Sequence, residues 1–165
     1  MSRIKKILAP TDFSQLSKLG IRYALELARD TSAEVIVYHA IDFAGAWAEI
    51  TARHDVIEHS RRTLDAFLAA NFADCIDLVE VRQSVEIGTP TQCINEKAAS
   101  EDVDIIVMST HGRTGLEHMM LGSVTEKVVA RGALPRSGRA ASSAFGRAER
   151  TRGLSRLVAP CRGSM

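Results

Sequence analysis

Residues 103–131, VDIIVMSTHGRTGLEHMMLGSVTEKVVAR, are the stretch around which the rest of the chain can be arranged. Residues 103–108 are apolar enough for a buried strand, residues 109–121 are punctuated by Gly112 and Gly115, and a helix opens at Gly122-Ser123. A strand that runs through a glycine loop into a helix start presents backbone N–H groups at the positive end of a helix dipole, which favours an anion. The same residues also suit an ordinary strand-to-helix crossover. Gly112, Gly115 and Gly122 would then be turn residues, and Ser123 with Glu126 a capping box. Glycine spacing alone leaves both readings open.

Upstream of that stretch, strand and helix patterns alternate. Residues 4–9 are a short, largely apolar run that stops at Pro10, whose ring cannot continue a ladder. Asp12 or Ser14 can cap a helix running to about residue 30, with Leu16, Gly20, Tyr23, Ala24 and Leu27 on one face. Residues 34–41, EVIVYHAI, are rich in β-branched and aromatic side chains and predict a second strand. A long helix follows over roughly 47–71; Ile57, Leu64, Phe67 and Leu68 form its apolar stripe, and Glu58, Arg61 and Arg62 its solvated face. A third strand is expected within 76–85. Thr89 and Pro90 then supply a cap and a first helical residue for a helix to about residue 100.

Strands separated by helices of this length imply right-handed βαβ crossovers, hence a largely parallel sheet covered on both faces. Ligands of such sheets bind beyond the carboxyl ends of the strands, where the strand order reverses. If the first and fourth strands flank that reversal, Pro10-Thr11-Asp12 and the loop after Met108 converge on one crevice.

Composition sets the class. A chain of 165 residues, 45% hydrophobic and 25% charged, suits one soluble domain with a single core. The start, MSRIKKILAPTDF, does not read as a signal peptide and no run is long enough to span a bilayer, so the expected location is the cytoplasm. Cys75, Cys93 and Cys161 are scattered without CxxC spacing, which suggests reduced thiols and no metal site. His54 and His59 are five apart on a helix, on different faces. The net charge of +1 conceals an asymmetry: residues 1–135 hold 14 Lys+Arg against 19 Asp+Glu, a net of −5, and residues 136–165 hold 7 Arg against one Glu, a net of +6. The chain thus divides into a patterned body, 1–135, and an Arg/Ala/Ser/Gly-rich tail, 136–165. The tail has few large apolar residues to offset its ordering entropy and is expected to be disordered.

Three stretches together, LAPTDFS (8–14), EIGTP (86–90), and DIIVMSTHGRTG (104–115) followed by LGSVTEKVV (121–129), resemble the universal stress protein family at corresponding spacings. The family's phosphate pattern is Gly, two residues, Gly, nine residues, Gly, then Ser or Thr. Gly112, the nine residues 113–121, and Gly122-Ser123 match it, while Ser109 replaces the first glycine. The likeness covers about residues 2–135. It implies an ATP-binding α/β domain of strand order 3-2-1-4-5, often dimeric, used in stress responses. By position, Asp12 would meet the ribose or adenine, Pro10, Thr11, Ala40 and Met108 would line the adenine pocket, and Gly112, Gly122, Ser123 and Val124 would hold the phosphates. The chemistry agrees: a carboxylate accepts from ribose hydroxyls, small residues admit backbone to phosphate, and the Ser123 hydroxyl adds a donor. Arg113 either adds charge there or is a solvated loop arginine. Asp12 can equally serve as a helix-capping or Asx-turn carboxylate, and the two roles are compatible. His111 has no visible nucleophile or acid partner, so no catalytic residue is assigned.

Two departures from the family stand out. Ser109 would crowd the nucleotide, or be strained if its backbone needed a positive φ, and because serine is small the expected effect is at most weakened binding. After Arg131 the text GALPRSGRAASS departs from the family's proline and hydrophobic fifth strand, and similarity stops at Pro135. The expected fold is therefore an open parallel sheet of order 3-2-1-4, helices on both faces, with the usual fifth strand missing or replaced. A missing strand would leave the fourth strand's edge uncovered. Residues 154–159, LSRLVA, are short and distant as a replacement.

Three functions follow. The leading one is an adenine-nucleotide-binding stress-response regulator, holding ATP alone or with Mg and hydrolysing it slowly if at all. The second is a protein of this fold that holds no nucleotide and acts through a dimer surface. An efficient nucleotidyl-transferring or ATP-hydrolysing enzyme is the third, and neither a P-loop lysine nor a general-base group supports it. A homodimer is implied by the resemblance, no membrane partner is expected, and nucleic acid would be bound only nonspecifically through the arginine-rich tail.

Overall fold

The computed structural model describes residues 4–42, 50–109, 124–125, 127–128 and 156–160, with side chains of 50–52 and 156–160 excepted. Strand β1 (Lys6–Pro10), helix α1 (Gln15–Thr31), strand β2 (Glu34–Ile41), helix α2 (Ile50–Phe72), strand β3 (Val81–Ile87), helix α3 (Pro90–Ser100) and strand β4 (Ile105–Ser109) follow in order, and strand β5 is Arg156–Pro160. The sheet order is β3-β2-β1-β4-β5. β2 pairs in parallel with both β1 and β3, and β1 with β4 through Ile7 to Ile105 and Leu8 to Ile106. Among the described residues, no helix is long and apolar enough to cross a membrane.

Alternation along the strands divides the core between two faces. Ile7, Ala9, Val35, Val37, Val85 and Val107 pack under α1 and α2 with Ile21, Ala24, Leu25, Leu64, Leu68 and Phe72. Leu8, Ile36, Tyr38, Ile106 and Met108 pack on the other face with Cys93, Ile94 and Ala98 of α3 and with Val128. Because β1, β2 and β4 are covered on both sides, they read as near-continuous apolar runs.

Several expectations are corrected in detail. The buried face of α1 is Ser17, Gly20, Ile21, Ala24, Leu25 and Ala28, whereas Leu16, Tyr23 and Leu27 are half-buried. Small residues are turned to the sheet because α1 lies close to it: a Cβ on Gly20 would meet Ser109 N at 3.3 Å and Met108 Cα at 3.5 Å. Ser14, and not Asp12, is the N-cap, its Oγ accepting from Ser17 N at 3.1 Å. Residues 76–78 form a 3-10 turn, and the third strand begins at Val81 and runs to Ile87, against Gly88. Thr89 caps α3 in position only, since its side chain makes no cap hydrogen bond.

Of the two alternatives for the fifth strand, missing or replaced, the structure shows the second. β4 is not left bare: β5 pairs with it antiparallel along its whole length, from Ile105 with Pro160 to Ser109 with Arg156. An unpaired strand carries a row of backbone donors and acceptors, and almost any short extended segment can satisfy them. The replacement comes from the short, distant run at the end of the arginine-rich segment, and it alters the fifth strand's direction relative to an all-parallel sheet.

Candidate functional site

The strand order reverses between β1 and β4, so the carboxyl ends of β1, β2 and β4 form the mouth at which a parallel sheet binds its ligand. Met108 is buried in the α3-side cluster, and Ala40 and Val124 pack against that cluster. Pro10 follows Leu8 by two residues and so shares its face. Four of the residues expected at an adenine or phosphate site, Pro10, Ala40, Met108 and Val124, therefore converge on one side of the sheet at one end. Asp12 follows Pro10 just beyond the strand.

Thr11 is directed otherwise. It is 7% exposed, and its Oγ1 lies 2.9 Å from Ser17 Oγ and accepts from Phe13 N at 3.0 Å. Ser17 Oγ donates to Ser14 O at 2.9 Å, so Thr11 supplies the proton of the Thr11–Ser17 contact. Its main chain is also engaged, through Thr11 N to Tyr38 O at 2.8 Å and Thr11 O to His39 Nδ1 at 2.8 Å. The Thr11 side chain thus docks α1 on the sheet and faces away from the mouth.

The turn after it aims Asp12. Asp12 Oδ1 accepts from Ser14 N at 3.0 Å, an Asx turn that leaves Phe13 in the left-handed region at φ 63°. Burial alone would raise the Asp12 pKa, but hydrogen bonds from the Ser14 side chain and amide lead the contributions that outweigh it and hold the carboxyl below its usual range. Asp12 is therefore a carboxylate at neutral pH, held by the first residues before α1 and able to accept hydrogen bonds.

His39 was not singled out by sequence reasoning, although a histidine inside the apolar run EVIVYHAI was a signal. Its Nδ1 faces the Thr11 carbonyl, which assigns the proton to Nδ1, and its ring lies 4.3 Å from that of Phe13. It braces the β1 turn from the neighbouring strand. Tyr38 is fully buried and donates to Glu86 Oε2 at 3.0 Å; burial, then that carboxylate, pushes its pKa up, so it stays a neutral donor.

Ser109, which stands where the family pattern has glycine, is the last residue of extended β4 and has no positive φ. The anticipated backbone strain is absent. Its carbonyl accepts from Thr125 Oγ1 at 3.0 Å, and Val124, Thr125, Lys127 and Val128 are helical, so a helix does return to the end of β4. Gly112, Arg113, Gly122 and Ser123, and with them His111, lie outside the described residues. Among the described residues no group of three or more His, Cys, Asp and Glu side chains could hold a metal ion.

The model of the universal stress protein family matches residues 3–135. The chain is 28% identical over 142 residues to universal stress protein MJ0577 of Methanocaldococcus jannaschii, covering 76% of this chain and 88% of that protein. It is 31% identical over 135 residues to universal stress protein MJ0531 of the same organism, covering 76% and 75%. The solved structure of MJ0577 superposes with a TM-score of 0.64 at 29% identity, over 79% of this chain and 91% of the other. A universal stress protein solved in complex with cAMP shares the fold, with a TM-score of 0.54 at 21% identity over 79% and 91%.

Proposed function

From the premise that this chain belongs to the universal stress protein family, we propose that it is a cytoplasmic regulator that binds an adenine nucleotide, ATP first, at the carboxyl mouth of its sheet. The observation that carries this reading is the convergence of Ala40, Met108 and Val124 on one cluster beside the strand-order reversal, with Pro10 and Asp12 at the same end. Ala40 leaves room for a flat base, Met108 offers a polarisable apolar wall, and the Asp12 carboxylate accepts from ribose hydroxyls. Gly112, Gly122 and Ser123 carry the phosphates in this reading, through backbone amides at a helix start, and Arg113 adds charge beside them. Thr11 contributes by holding the turn, not by touching the base.

Binding, with at most slow ATP hydrolysis, is the proposed activity. The test is to denature the purified protein and read the released nucleotide by mass, then to titrate ATP, AMP and cAMP against the wild type and Gly122→Val. A side chain at Gly122 would obstruct the approach of phosphate to backbone, and ATP binding should fall at least tenfold, a difference of about 1.4 kcal/mol. Wild-type protein that neither carries nor binds nucleotide would leave the fold acting through a protein surface instead. Phosphate release at saturating ATP checks the absence of efficient hydrolysis.

A further inference from the structure

We propose that Thr125 is a positioning residue of this mouth: its hydroxyl holds the helix wall of the crevice to the strand wall, so nucleotide affinity depends on a side chain that does not touch the ligand. The inference rests on the nucleotide reading and deepens it. Thr125 is 3% exposed, and its Oγ1 donates to the carbonyl of Ser109 at 3.0 Å. A threonine inside a helix can return its hydroxyl to the carbonyl four residues back. Thr31 and Thr63 both do so here, to Leu27 O at 2.7 Å and His59 O at 2.9 Å. Thr125 instead reaches the last residue of β4, sixteen positions earlier.

What it reaches is already held from the other side. The Gly20 backbone of α1 lies against Ser109 N and Met108, so closely that an added Cβ would stand 3.3 Å from the Ser109 nitrogen. The end of β4 is therefore fixed between α1 and Thr125. Immediately beside these two residues are Met108, in the α3-side cluster, and Val124, packed against it, both residues that would contact the nucleotide. The hydroxyl sets how far apart those two walls stand. A site built before its ligand arrives binds more tightly than one that must be ordered on binding.

The experiment compares Thr125→Val, which keeps the volume and loses the donor, with Thr125→Ser, which keeps the donor and loses a methyl group. ATP affinity is measured by calorimetry and the fold by circular dichroism and thermal melting. A positioning hydroxyl predicts ATP binding about five- to tenfold weaker in Thr125→Val and within twofold of wild type in Thr125→Ser. The reverse order, or wild-type affinity in both, overturns the inference and leaves Thr125 as packing alone. If Thr125→Val does not fold, Thr125→Cys, whose thiol is a weak donor, takes its place against Thr125→Ser with the same expected order. Wild-type protein that binds no ATP overturns the nucleotide reading and this inference together, whereas ATP bound equally by all variants overturns this inference alone.

Discussion

At the amino end of the sheet, charges are matched in a network of ion pairs; at the carboxyl end, the same strands present small and apolar groups with a few carboxylates held by hydrogen bonds. Arg82 donates to both oxygens of Glu101, at 2.9 and 2.7 Å, and to Glu34 Oε1 at 2.7 Å. Lys6 Nζ stands 3.5 Å from Glu101 and 3.9 Å from Glu34, and Asp104 accepts from the amides of Lys5 and Lys6. The other end carries Pro10, Ala40 and Met108, a hydrogen-bond chain from the Thr11 hydroxyl through Ser17 Oγ to the Ser14 carbonyl, and the Asp12 carboxylate on Ser14 N. The contrast shows that the two ends are built differently: ion pairs tie the amino end together, whereas at the carboxyl end two carboxylates, Asp12 and Glu86, are each held by a neutral donor, Ser14 N and the Tyr38 hydroxyl.

Four substitutions test the two ends. The largest effect should come from Gly20→Val, because the added atoms run into the Met108 and Ser109 backbone, which cannot swing aside as a side-chain tip would. A cost of about 1–3 kcal/mol in urea unfolding is expected, together with loss of nucleotide affinity. Unchanged affinity in a folded Gly20→Val protein would break the link between α1 packing and the mouth.

Arg82→Ala should act in the opposite sense, on stability and not on binding. The guanidinium is partly exposed, so the cost at neutral pH is about 1 kcal/mol. Hydrogen bonds from Arg82 hold the Glu101 carboxyl down at about 2, against an ordinary 4.5. A lowered folded-state pKa contributes stability that is fully present above about pH 4.5 and is lost as the pH falls toward 2. The difference between wild type and Arg82→Ala should therefore be constant near neutrality and shrink through that acid window, with ATP affinity equal in both proteins. A melt difference that does not change with pH would remove Glu101 from the account.

The smallest effect separates two helix caps. Ser14→Ala loses a side-chain acceptor for Ser17 N and should cost about 1 kcal/mol, whereas the Thr89 side chain bonds nothing at its cap and Thr89→Ala should stay within about 0.5 kcal/mol. Equal losses in chemical denaturation would mean that the cap geometry does not govern either helix.

How far the fold was legible follows from particular residues. EVIVYHAI could be little but a buried strand, and β2 spans those residues. Pro90 marked the first residue of α3 because its missing N–H costs nothing there. The face of α1 was less legible, since large apolar residues at helical spacing drew attention from the smaller ones that permit close approach. Phe72 was missed by ending α2 one residue early, although it is 1% exposed in the core. At the mouth, the resemblance selected Thr11 by position, but only coordinates could reveal that its hydroxyl serves α1. His39 and Thr125 stayed hidden because their partners, Thr11 and Ser109, are 28 and 16 residues away.

The order of strands and helices, the family, and the end of the sheet at which a ligand would sit were determined by the sequence, because hydrophobic period, turn residues and motif spacing are local properties. Tertiary structure alone decided which short run covers the β4 edge, which way the Thr11 side chain turns, and what pins Ser109 between Gly20 and Thr125. Each of those depends on backbone groups brought together from distant parts of the chain, and a hydrogen bond or a close contact of that kind leaves no period in the sequence to be read.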